Sequence, residues 1–128
     1  MQRRFLSMRL MVAAVAVCGL APAAWAHHSF AMFDTHKTVE LSGTVKEFQW
    51  SNPHCWIQLM VDKPGEGQQE WGIEMTSPGA LLREGWHPHS LQAGDKITVT
   101  MHPLLSGAQG GSELTVTGAD GKQIGHHP

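Results

Sequence analysis

Residues 38–50 read TVELSGTVKEFQW. Val39, Leu41, Gly43 and Val45 fall on one side of an extended chain, and Thr38, Glu40, Ser42, Thr44 and Lys46 on the other. That two-residue period is the mark of a half-buried β-strand. The alternation then slips. Phe48 comes three positions after Val45, so a bulge is needed to keep its ring on the apolar side. Gly43, lacking a Cβ, suits strong coiling within the same strand. A long first strand that bends part-way can serve both sides of a closed sheet, which is how small barrels use it.

The residues that follow repeat the strand period. About His54 to Asp62, Cys55, Ile57, Leu59 and Val61 form an apolar face, with His54, Trp56, Gln58 and Met60 opposite. The turn Lys63-Pro64-Gly65-Glu66-Gly67 leads to a third strand, about Gln69 to Thr76, with Trp71, Ile73 and Met75 inward and Glu70, Gly72, Glu74 and Thr76 outward. Ser77 then caps a short helix that carries Pro78 in its first turn, Ala80, Leu81 and Leu82 on its apolar side, and Gly85 at its end. A fourth strand runs about Lys96 to His102, with Ile97, Val99 and Met101 inside. A fifth runs about Glu113 to Thr117, with Leu114 and Val116 inside, and Gln123-Ile124 adds a short strand. The fold class that results is all-β with small α content: a five-stranded OB-like Greek-key barrel with one short helix between strands 3 and 4. A plain antiparallel sandwich is the competing arrangement.

Residues 1–26 have a different character. Met1 to Arg9 carries three arginines and no acid, Leu10 to Ala21 is apolar, and Ala24-Trp25-Ala26 places small residues at the −3 and −1 positions of a cleavage site. This reads as a secretory signal peptide, removed after Ala26, and the apolar run is too short for a spanning helix. The expected mature protein is a single exported, periplasmic β-barrel domain, residues 27–128, with no membrane span after cleavage. It keeps one cysteine, Cys55, so an internal disulfide is excluded and an apolar core must hold it together.

Several stretches together resemble a family of small exported bacterial proteins of unknown function. They are His27-His28-Ser29-Phe30, Phe33-Asp34, Gly43-Thr44-Val45 and Trp50-Ser51-Asn52-Pro53-His54, followed by Trp71-Gly72-Ile73-Glu74, Leu81-Leu82-Arg83-Glu84-Gly85-Trp86 and Gly94-Asp95. The resemblance spans nearly all of the mature chain. It implies an OB-like barrel and no particular activity.

Charge narrows the classes of function. The whole chain carries a formal −2. Without the three leader arginines, six Lys and Arg face 11 Asp and Glu, a net −5 with His neutral. An exported, acidic domain does not suit nucleic acid, so none is expected as a partner despite the tryptophans an OB-like surface could offer for stacking. No phosphate-cradling glycine loop and no GxSxG elbow occurs.

The strongest chemical signal is the new N-terminus. Cleavage after Ala26 makes His27 the first residue, and its free amine and Nδ1 can chelate one ion. A further imidazole from His28, His36 or His54 would complete a nitrogen set suited to Cu(II). Copper is thus the expected cofactor, and a metal ion or small ligand the expected partner. His54 and Cys55 face opposite ways along a strand, so they do not act as a pair, and Cys55 is expected to be a buried, inert thiol. A Cys-His enzyme would also need an oxyanion site and an orienting group, and neither is recognisable. Glu74 is expected on a solvated strand face, or as an orienting group if paired with Asp34 or a histidine. His87 and His89 fall on a loop, His102 at a strand end, and His126 and His127 in a tail that binds metals loosely. The expected function is a non-enzymatic periplasmic binding module, with copper held through His27. The alternative is a structural or partner-docking periplasmic domain without metal.

Overall fold

A computed structural model describes residues 30–126. The expected signal peptide (residues 1–26), His27, His28 and His127 lie outside the described residues. The chain forms β1 (Val39–Gln49), β2 (Trp56–Lys63), β3 (Gly67–Glu74), α1 (Pro78–Arg83), β4 (Lys96–Pro103), β5 (Gly110–Gly118) and β6 (Gln123–Ile124), preceded by a 3-10 turn at Phe30–Met32. The sheet order is β3-β2-β1-β4-β5-β6, and a parallel pairing of β3 with β5 closes the first five strands into a ring. This is the expected all-β barrel, with its short helix between β3 and β4. Among the described residues no helix is long and apolar enough to cross a membrane.

The ring depends on how β1 divides its partners. Its first half pairs with β4, from Val39↔Met101 to Thr44↔Lys96, and its second half with β2, from Thr44↔Met60 to Gln49↔Trp56. Between them the register slips: Val45 opposes Leu59, but Glu47 opposes Gln58. Lys46 is therefore the extra residue of the bulge, and Phe48, opposite Ile57, returns to the core side. Gly43 lies at the tightest approach. A Cβ there would strike the Met60 carbonyl oxygen and come within 2.9 Å of Leu59 Cγ.

The core lies inside this ring. Val45, Ile57, Leu59, Ile73, Val99 and Val116 are fully buried, from the inward positions of all five strands. The helix adds Leu81 to this core. Ser77 caps it by accepting from the Ala80 amide at 3.3 Å, Pro78 opens it, and Gly85 leaves it at φ +85°. The Trp86 amide then donates back to the Leu81 carbonyl at 2.9 Å, and both side chains are buried. Of the three apolar helix residues only Leu81 is buried; Leu82 is exposed, because a six-residue helix turns one narrow stripe inward.

Leu114 also departs from expectation. It is half-buried and outside the core cluster, because a second register slip falls there: Thr100 opposes Thr115, but Met101 opposes Glu113. The bulge releases Leu114 and turns Glu113 to the side of buried Met101.

Candidate functional site

Strands β2 and β3 run together past their formal ends. The Cys55 amide donates to the Thr76 carbonyl and the Met75 amide to the Cys55 carbonyl. His54 sits two residues before Trp56, and Trp56 opposes Glu74, so His54 and Glu74 are diagonal neighbours on one face. They meet there: His54 Nδ1 contacts Glu74 Oε1. Glu74 is the one charged residue found buried among those described. It does not occupy the solvated face expected of it; it is held by a histidine. Cys55, on the other face, is fully buried, and burial pushes its thiol up from the ordinary range. A buried thiol held in its neutral form is a poor nucleophile, since the thiolate is the reactive form.

A cavity of about 180 Å³ opens beside the pair, lined by Phe30, Phe33, Met75 and Thr76 as well as His54 and Glu74. Two more carboxylates border it, Glu84 from the end of α1 and Glu113 from β5. The segment before β1 reaches the cavity because it is stitched to the exit of β4. Phe33 bridges Leu104, the Asp34 amide donates to the Pro103 carbonyl at 2.8 Å, and the Leu105 amide donates to the Met32 carbonyl at 2.9 Å.

The two expected ligands among the described residues are placed apart. His54 lines the cavity. His36 lies on an exposed turn, its amide donating to Asp34 Oδ1 at 3.2 Å. Among the described residues no three His, Cys, Asp or Glu side chains are grouped to hold a metal ion by themselves. His102 Nδ1 donates to the Lys37 carbonyl at 2.7 Å, and His87 and His89 are exposed on the turn after Trp86. Glu84 and Glu113 escaped the sequence analysis. Glu84 is a helix C-cap, and helix ends are legible, but its cavity is not. Glu113 has the parity of outward Thr115; its neighbour Ser112 opposes Glu74 across the β3–β5 pairing, and that closure brings Glu113 to the site.

Imidazole and carboxylate in contact restrict each other. The carboxylate accepts from Nδ1–H, which leaves Nε2 as the ring's second donor atom and fixes the ring's orientation. Three carboxylates at one mouth favour a cation over an anion there. A family of unknown function, DUF6152, matches residues 14–113. No curated protein and no solved structure matches the chain.

Proposed function

The chain belongs to the family of unknown function DUF6152, and we propose from its own residues that it is an exported, periplasmic, non-enzymatic module that binds a copper ion. One observation carries this. Phe30, only three residues after His27, lines the same cavity as His54 and Glu74. Three residues span at most about 10 Å, so a freed His27 has His54 within reach.

Cleavage after Ala26 supplies an amine and an imidazole on one residue, and His54 Nε2 adds a third nitrogen. Cu(II) favours such a tetragonal nitrogen set over the other abundant divalent ions. Glu74 takes no part as a ligand; by holding Nδ1 it orients the His54 ring. Glu84 and Glu113 supply negative potential around the incoming ion.

Calorimetry with Cu(II) on correctly processed protein tests the proposal, with mass spectrometry to fix the N-terminus. One tight equivalent is expected. Acetylating the His27 amine leaves every imidazole in place, removes the chelating amine and should abolish the tight equivalent. Unchanged affinity in the acetylated protein overturns the copper assignment.

The exposed corner beside the cavity favours a second role. Phe30 is 72% exposed, Met32 49% and Leu105 64%, and these large apolar residues cluster where the segment before β1 crosses the exit of β4. A partner-docking domain without metal would use such a surface. In that case the metal-free protein would co-purify with a periplasmic partner, Phe30→Ser with Leu105→Ser would release it, and copper would make no difference.

A further inference from the structure

The outer face of the barrel carries a second set of polar groups. Three strands each present a hydroxyl residue, one inward residue and a threonine: Ser42-Gly43-Thr44 in β1, Thr98-Val99-Thr100 in β4 and Thr115-Val116-Thr117 in β5. Val99 and Val116 are fully buried, so the hydroxyl residues on either side of each point outward. The register then aligns them. Ser42 opposes Thr98 and Thr98 opposes Thr117, which makes one row across the three strands. Thr100 and Thr115 stand side by side in the next row.

The first row lines an open cleft of about 500 Å³, together with Thr44, Asp62 and Lys96. Ser42 Oγ and Thr98 Oγ1 are 2.8 Å apart, so one hydroxyl donates to the other and the pair keeps one O–H donor and further lone pairs. Lys96 Nζ donates to Thr44 Oγ1 at 2.5 Å, which turns the Thr44 proton away from the ammonium. Asp62 accepts from Gln68 Nε2 at 2.9 Å through one oxygen, and its carboxylate has acceptor sites beyond that one. Gly118, Ala119 and Gly121 form another wall, where little side chain stands above the backbone. One ammonium and one carboxylate balance each other here, which favours neither a polyanion nor a polycation. Among the described residues of the lining the only large apolar side chain is Ile97, and it is 4% exposed, so an apolar ligand finds nothing to pack against. What such a surface suits is a neutral molecule whose closely spaced groups both donate and accept, as sugar hydroxyls do.

We propose that this cleft binds a neutral glycan chain, with the hydroxyls of Ser42, Thr98 and Thr117 meeting those of the sugars, Lys96 donating to them and Asp62 accepting from them. The cleft shares no residue with the cavity of His54 and Glu74. The assignment therefore stands apart from the copper reading, and the domain can hold a glycan on one face while that cavity stays open.

Nuclear magnetic resonance titration of the processed protein tests this. The probes are the neutral oligosaccharides cellohexaose, maltohexaose and N-acetylated chitohexaose, with oligogalacturonate as a polyanionic control. At least one neutral probe should shift the Thr44, Thr98 and Thr117 methyl signals to saturation, and the control should leave them in place. Valine keeps the β-branched shape and strand preference of threonine without its hydroxyl. Thr98→Val combined with Thr117→Val should therefore stay folded by circular dichroism and bind about tenfold or more weakly. Ser42→Ala, at an exposed position, makes the same comparison with less risk to the strands and should weaken binding about fivefold. Thr100→Val, outside the cleft, should match wild type. The proposal is overturned if no neutral probe gives a saturating shift, if oligogalacturonate binds as tightly as the best of them, or if the folded variants at Ser42, Thr98 and Thr117 bind like wild type.

Discussion

Replacing Glu74 probes the centre of the site and the stability of the barrel at once. Its side chain is 11% exposed and its partner His54 35% exposed. A hydrogen bond to a charged group contributes about 1.5–3 kcal/mol. Water reaches the His54 ring and can replace part of what is lost, so Glu74→Ala should fall near the low end, about 1.5–2 kcal/mol. Glu74→Gln keeps the shape and one acceptor oxygen and should cost about 1 kcal/mol. In a domain of this size each kcal/mol lowers Tm by about 4–8 °C, so about 6–16 °C is expected for Ala and about 4–8 °C for Gln. Reversible thermal unfolding, followed by circular dichroism with urea titration as a check, measures both. If Glu74→Ala melts together with the wild type, the His54–Glu74 contact does not stabilise the fold. The same variants address ligand orientation: copper affinity should drop about 10–100-fold in Glu74→Ala. An Ala variant that has lost stability but holds copper as before would separate the two roles and remove Glu74 from the site.

Gly43→Ala should destabilise by about 1–3 kcal/mol with an unchanged urea m-value, because the new methyl meets the Met60 carbonyl, a backbone atom that cannot step aside. Ile57→Ala, at a fully buried position opposite Phe48, should cost about 2–5 kcal/mol in the same assay. Cys55 should resist thiol reagents in the native state at pH 8 and react once urea unfolds the chain. Burial raises its folded pKa, so the stability its neutral thiol contributes is complete below the unfolded value, about 8.5, and is lost as pH rises through the folded one. The stability gap between wild type and Cys55→Ala should therefore narrow above about pH 8.5; a constant gap up to pH 10 would contradict this.

Much of the fold is legible in single residues. The three-residue step from Val45 to Phe48 announces the β1 bulge, and the bulge is at Lys46. Ser77-Pro78 and Gly85 bracket the helix, and the structure begins and ends it there. The opposite orientations of His54 and Cys55 follow from strand parity alone, and one is half-buried beside Glu74 while the other is in the core. Where parity fails, as at Leu114 and Glu113, the cause is a β5 bulge that no break in the apolar pattern reveals. Burial of Glu74 was equally hidden, because a carboxylate of outward parity counts as solvated until another segment covers it.

The sequence by itself determined what depends on neighbours along the chain: strand period, the bent first strand, the capped helix, and the chemistry available at each position. Tertiary structure alone decided which of these chemical groups meet. The parallel closure of β3 on β5 brings Glu113 toward His54 and Glu74, the stitching of residues 32–34 to the exit of β4 sets Phe30 beside them, and β6 leads His126 to Glu84. Periodicity is a property of a few consecutive residues, whereas the meeting of groups tens of positions apart depends on how the whole sheet curls shut, and no local pattern carries that information.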